Sequence, residues 1–182
     1  MTDEVTLIHQ LKETKSKEAA FRELISQYKE RLYWHIRKIV ISHDDADDVL
    51  QNTFIKVFKN IETFKGDSKL YSWMYRIATN ESITFINKRA KDRKVAISEI
   101  HSELAATLQS DVYFSGVEIQ LILQKAIATL PTKQQLVFNM KYFDELKYSQ
   151  MSEILSTSVG ALKASYFHAV KKIEKYIQQN NN

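Results

Sequence analysis

The sequence predicts an all-α protein made of two small helical domains joined by a flexible linker, the C-terminal one a helix-turn-helix. Three observations carry this. Apolar residues recur at helical spacing along nearly the whole chain. Gly and Pro, which shape the tight turns a sheet needs, number only 3 and 1 in 182 residues. One stretch, 96–117, loses the apolar pattern, is rich in Ser, Ala and Thr, and ends near Gly116. It divides the chain into domains at 1–95 and 118–182.

An opening helix passes through Val5, Leu7, Ile8 and Leu11. A longer one carries Phe21, Leu24, Ile25, Tyr28, Leu32, Ile36 and Ile39 on one face. The clearest stripe is Ala46, Val49, Leu50, Thr53, Phe54, Val57, Phe58 and Ile61. It follows Ser42 and the cluster Asp44, Asp45, Asp47 and Asp48, whose carboxylates suit the positive end of a helix dipole and its unpaired N–H groups. Gly66 breaks the pattern, and a helix over about 70–88 follows, with Trp73, Ile77, Ile83 or Thr84, and Phe85 expected to face inward. Within the linker, 98–108 has the composition of a weak helix.

Beyond the linker, Ile119, Ile122, Leu123, Ala126, Ile127 and Leu130 form another stripe, which Pro131 ends. Proline is tolerated where a helix begins, because its missing N–H costs nothing there. Helices over 132–143 and 149–155 come next. The turn Ser156-Thr157-Ser158, with Ser158 as N-cap, leads to a last helix with Val159, Leu162, Tyr166, Ala169 and Ile173 on its inner side. Two short helices across a turn of this length form a helix-turn-helix, whose second helix can enter a major groove.

The composition excludes several classes of function. With no cysteine there is neither a disulfide nor a thiolate metal site. The first residues lack a basic segment followed by an apolar one, and no apolar run reaches the ~18–20 residues of a membrane span, so the expected location is cytoplasmic, without membrane insertion. Capping accounts for the Asp44–Asp48 carboxylates without a metal. No P-loop, dinucleotide fingerprint or GxSxG elbow is present, so neither a catalytic site, a cofactor nor a small-molecule substrate is expected. The 26 Lys and Arg against 22 Asp and Glu give a net charge of +4. Its distribution is more informative: basic blocks flank a linker with no cation and three acids, Glu99, Glu103 and Asp111.

Three constellations point to nucleic acid. On the last helix, Lys163, Ala164, Phe167, His168 and Lys171 lie opposite the inner face. The lysines can neutralise phosphates, and an apolar ring on a wet face suits a thymine methyl. The run Asn87-Lys88-Arg89-Ala90-Lys91-Asp92-Arg93-Lys94 sets five cations against one acid. Just before it come Phe64, Tyr71, Trp73, Tyr75 and Phe85, and rings beside a basic strip are the means by which single strands are bound. Asn80 and Asn87 fall on one helical face nearby, and an amide can read a base edge.

Three motifs in this order resemble the extracytoplasmic-function (ECF) group of the sigma-70 family: Asp45-Ala46-Asp47-Asp48-Val49-Leu50-Gln51-Asn52-Thr53-Phe54; Phe64-Lys65-Gly66-Asp67-Ser68 with Trp73-Met74-Tyr75-Arg76-Ile77-Ala78-Thr79-Asn80; and Leu130-Pro131 with 148–155 and 159–173. The resemblance implies an RNA polymerase sigma factor, with core RNA polymerase and promoter DNA as partners and an anti-sigma factor, membrane-bound in typical members, as a third. It implies polymerase docking by Asp48, Gln51, Asn52 and Phe58, with Asn52 in place of the usual acid. It implies −10 recognition by Phe64, Ser68, Tyr75, Asn80, Asn87, Lys88 and Arg89, with Phe64, Ser68 and Asn80 holding a flipped base. It implies −35 recognition by Lys163, Ala164, Phe167, His168 and Lys171. Family members often carry arginines where this chain has Ser165 and His168, so the upstream preference is expected to be less guanine-directed.

Overall fold

The computed structural model describes residues 3–107 and 118–180. Nine α-helices lie among them: α1 (Glu4–Lys12), α2 (Lys17–Val40), α3 (His43–Asn60), α4 (Leu70–Arg93), α5 (Ile97–Thr107), α6 (Glu118–Ala128), α7 (Thr132–Tyr142), α8 (Tyr148–Leu155) and α9 (Val159–Asn180). A 3₁₀ turn, Ile61–Thr63, follows α3.

Local chemistry sets the ends. The Asp3 carboxylate caps α1 by accepting from the Val5 N–H at 2.9 Å, and Ser42 Oγ accepts from the Asp45 N–H at the start of α3. Gly66, at φ +83°, makes the turn between α3 and α4 in the left-handed region that favours glycine. Pro131 lies at the N-cap of α7, one place ahead of the first helical residue, and its carbonyl accepts from the Gln134 and Gln135 N–H groups.

Helices α2, α3 and α4 pack on one another, with α1 across α2. Their shared core includes Leu24, Leu32, Ile36, Val49, Val57 and Met74, each nearly inaccessible to solvent. The apolar stripes of α2 and α3 face inward as the periodicity predicts, apart from Phe58, which is exposed at the end of α3. For α4 the expected face is displaced. Met74, Ala78, Ser82 and Ile86 form the buried line, Trp73, Ile77, Ile83 and Phe85 are half-buried, and Thr84 is exposed. The reason is that α4 touches α2, α3, α5 and α8, so several of its sides are covered and no single apolar stripe marks the inner one.

In the C-terminal part, Ala126, Ile127, Leu130, Phe138, Ala169 and Ile173 form a core joining α6, α7 and α9. A left-handed Ser156 (φ 48°) ends α8, and Ser158 Oγ accepts from the Ala161 N–H at 3.3 Å as α9 begins. The helix-turn-helix is therefore built as its turn residues predict.

The structure differs from the sequence reading at the start of the linker. Residues 97–107 form a regular helix, α5, against α4 and α6, with Ile100 and Leu104 buried. Those two residues and Ile97, at spacings of three and four, supply an apolar edge that the surrounding Ser, Ala and Glu obscure. The rest of the expected linker, 108–117, lies outside the described residues. Beside Ile100, His101 is buried and its Nε2 has no hydrogen-bond partner among the described residues. Burial pushes its pKa below the ordinary 6.5, which keeps the ring neutral. The folded state thus resists a proton that the open state accepts. Docking of α5 should be strongest above pH 6.5 and weaken as pH falls below it. Amide hydrogen exchange over 97–107 should accelerate on acidification in the parent protein, and His101→Leu should remove that pH dependence.

Candidate nucleic-acid interface

Helix α3 offers an outer face made of Asp48, Gln51, Asn52 and Ile55, all exposed, with the Phe58 ring at its far end. The Phe58 ring meets Phe21 edge-on at 4.9 Å between centroids, and Lys17 Nζ lies 5.0 Å from its centre. One side of the ring is thus held by α2, leaving the rest for a partner. Asp48, Gln51 and Asn52 also line a groove of about 510 Å³ whose opposite wall is α4, through Phe85, Lys88 and Arg89. The structure therefore brings together side chains that the sequence motifs assign to two different roles.

The α4 region is more varied than expected. Asn80, Asn87 and Lys88 are exposed, and Ser68 is half-buried in the loop before the helix. Arg89 is paired with Asp45 at the start of α3, and Arg93 with Glu103 of α5 at 2.8 Å. Two of the five cations of the basic run are thus already engaged by acids. Phe64 is only 3% exposed, its ring 5.3 Å from that of Trp73. Tyr75 is 1% exposed, and its hydroxyl accepts from Arg31 Nε at 3.2 Å. In this arrangement neither ring is open to a base. Burial pushes the Tyr75 hydroxyl well above the ordinary phenol value, so it stays protonated. The family resemblance gives both rings a part in −10 recognition, and stacking on a base needs an open face. The third dimension assigns them to the core, where Phe64 closes the base of α4 and Tyr75 lies against the His35 ring at 4.5 Å.

On α9, all five expected residues share one exposed face: Lys163, Ala164, Phe167, His168 and Lys171. Phe167 is 58% exposed, with the His168 ring edge-on beside it. Lys163 Nζ sits 5.9 Å from the Tyr148 ring centre, and Lys171 pairs with Glu174 at 2.9 Å. This is the most complete of the three predicted sets.

Side chains to which sequence reasoning gave no such role, Asp144 and Gln150 among them, join the N- and C-terminal helices. The Asp144 carboxylate, in the turn between α7 and α8, accepts from His35 Nδ1 at 3.0 Å and from Lys38 Nζ. Arg76 donates to the Glu153 carbonyl, and Gln150 Nε2 to the Tyr71 hydroxyl. Nothing in the sequence distinguished Asp144 from an ordinary turn carboxylate.

The chain matches the family description "Sigma-70 region 2" over residues 24–92 and "Sigma-70, region 4" over residues 120–173. Among curated relatives it is 29% identical to the ECF RNA polymerase sigma factor SigW of Bacillus subtilis, over 90% of this chain and 92% of that protein. It is 29% identical to the ECF RNA polymerase sigma-E factor of Haemophilus influenzae, over 87% and 88% respectively. Among solved structures it resembles CnrH in complex with the cytosolic domain of CnrY, with TM-score 0.70 at 18% identity over 97% of both chains. It also resembles the sigma factor RpoE in complex with the anti-sigma factor NepR from Bartonella quintana, with TM-score 0.67 at 17% identity over 87% of this chain and 96% of that one. The two families so matched follow each other in the order and at the positions of the two helical groups described above. The chain belongs to the ECF group of the sigma-70 family.

The Asp45–Arg89 pair ties the start of α3 to the basic end of α4. Asp45→Ala removes this half-buried pair and a carboxylate from the first turn of α3, for an expected loss of about 1–2 kcal/mol. Urea denaturation followed by circular dichroism measures it; a midpoint equal to that of the parent protein would mean that the pair contributes nothing.

Proposed function

We propose that this chain directs core RNA polymerase to specific promoters and takes part in opening them, without covalent chemistry of its own. The observation that carries this reading is the bare α9 face, where lysines flank Ala164, Phe167 and His168. A cation–apolar–cation surface on the second helix of a helix-turn-helix suits a major groove, with phosphates held at the sides and a thymine methyl against the ring.

The remaining assignments divide the labour. Asp48, Gln51, Asn52 and Phe58 dock the protein on polymerase, the ring providing apolar contact and the polar trio setting register. Asn80, with Asn87, Lys88 and Arg89, meets the downstream element, where capture of an unstacked base offsets the few kcal/mol that unstacking costs. Ser68 and the loop around Phe64 border that base. Since Phe64 and Tyr75 are buried in the free chain, their part is to hold α4 in shape unless the loop rearranges on DNA. His168 in place of an arginine makes upstream reading less dependent on guanine.

Core polymerase and promoter DNA are the partners, in keeping with the relatives' names. An anti-sigma factor is a further expected partner, because both structural neighbours are complexes with other proteins and one of those partners is an anti-sigma factor. The expected site of action is the cytoplasm; no described helix is long and apolar enough to cross a membrane.

Run-off transcription with core polymerase on genomic fragments, with and without the chain, tests the reading as a whole; unchanged start sites would refute it. Asn80→Ala should reduce open-complex formation more than polymerase binding, and equal losses would count against the division of labour. Phe167→Ala should weaken recognition of the upstream element about fivefold, or ~1 kcal/mol, measured by transcription across promoter variants.

A further inference from the structure

We propose that α1 is a clamp on the loop that borders the flipped base: Glu4 and Lys12 hold the backbone at the two ends of that loop and so set the shape in which the downstream element is read. Both act through the loop and are positioning residues. The inference rests on the functional reading above for what the loop does, and on geometry alone for the clamp.

The loop runs from Phe64, just past the 3₁₀ turn, to Leu70, the first residue of α4. Each end leaves a backbone group in want of a partner. The Phe64 carbonyl lies beyond the turn, and the Leu70 N–H belongs to the first turn of a helix, where no intrahelical acceptor exists. Lys69, at the N-cap of α4, makes no side-chain cap. Helix α1 supplies both partners. Lys12 Nζ donates to the Phe64 carbonyl at 2.7 Å, and the Glu4 carboxylate accepts from the Leu70 N–H at 3.1 Å. A carboxylate there also faces the positive end of the α4 dipole, and a charged partner makes each bond stronger than a neutral one would.

The same helix holds the side chains at these two points. Leu7 and Leu11 are buried in one cluster with Ile61, Phe64 and Leu70. At 3.6 residues per turn, Glu4, Leu7, Leu11 and Lys12 fall on one side of α1, and the rise from Glu4 to Lys12 is about 12 Å. A rigid helix of that length, with its apolar residues in the core, keeps the loop ends at a set separation. Lys17, at the start of α2, adds a third tie by pairing with Glu62 of the 3₁₀ turn at 3.1 Å.

Between its ends the loop is open. Lys65, Gly66, Asp67 and Lys69 are exposed and Ser68 is half-buried, with Gly66 making the left-handed turn. A segment of this kind takes its shape from where its ends are fixed. A site for one unstacked base binds better when that shape exists before the base arrives. Helix α1 precedes residues 24–92, which match region 2, so the clamp lies outside the segment that carries the family motifs.

In the free chain, Glu4→Ala should speed amide exchange at Leu70, and Lys12→Met over 65–69, each about fivefold at unchanged helicity. Glu4→Gln and Lys12→Arg keep an acceptor and a donor, and should restore most of the protection. Exchange over 65–70 equal to that of the parent in both the Ala and the Met variant overturns the clamp. With core polymerase, transcription from a promoter pool randomised across the downstream element reads the consequence. Glu4→Ala with Lys12→Met should lower base preference at the most selective position about fivefold, with binding to core polymerase at the parent level. Glu4→Gln with Lys12→Arg should recover that preference. A uniform loss over the whole pool, or an unchanged preference, overturns the positioning role. If the parent protein itself shows no base preference, the functional reading has failed, and amide exchange still decides the clamp.

Discussion

Burial of α4 on several sides is the constraint from which the rest of the structure follows. A helix that packs against α2 and α3 must offer them small and apolar residues, and Met74, Ala78 and Ile86 do so. The same helix must keep Asn80, Asn87 and Lys88 outside, where they can meet a ligand. Both demands are met by a 24-residue helix whose inner line is narrow and partly polar, with Thr79 and Ser82 buried. The Thr79 and Ser82 hydroxyls donate to the carbonyls four residues back, so they can lie in the core without an unsatisfied group. Helix α3 is then positioned by apolar packing on one side and by the Asp45–Arg89 pair on the other.

The two kinds of contact in the molecule differ in what they can do. Within the N-terminal helices, residues such as Leu32, Ile36 and Val57 leave water completely, and that packing is lost only by unfolding. Between the N- and C-terminal helices a share of the contact is ionic or amide, at Asp144, Asn139 and Gln150. An apolar part is shared as well, since Val137, Met140, Met151 and Ile154 are buried in one cluster with Leu24, Leu32 and Met74.

The predicted sites were legible in proportion to how local their physics is. On α9, one helix carries both the inner stripe and the opposite face, so spacing alone placed Lys163, Ala164, Phe167, His168 and Lys171 together, and the structure keeps them so. The α3 face was readable for the same reason. The −10 set was read less well, because exposure there depends on neighbours from elsewhere in the chain. Tyr75 is buried by α2 and by Arg31, and Phe64 by Trp73 and the base of the core; neither burial has a signature in the surrounding residues. The basic run reads as five free cations, yet Asp45 and Glu103, distant in sequence, take Arg89 and Arg93.

The amino-acid sequence by itself determined the helical class, the order of most helices, the helix-turn-helix with its Ser158 cap, and the family, since periodicity, capping and motif order are properties of neighbours along the chain. Tertiary structure alone decided which side of α4 is inner, that 97–107 packs as a helix, and that Asp144 lies buried between His35 and Lys38. Those outcomes depend on contacts across up to 109 positions of sequence. Asp144 becomes a buried partner of His35 and Lys38 only when a distant helix meets it and removes its water, and no local pattern encodes that meeting.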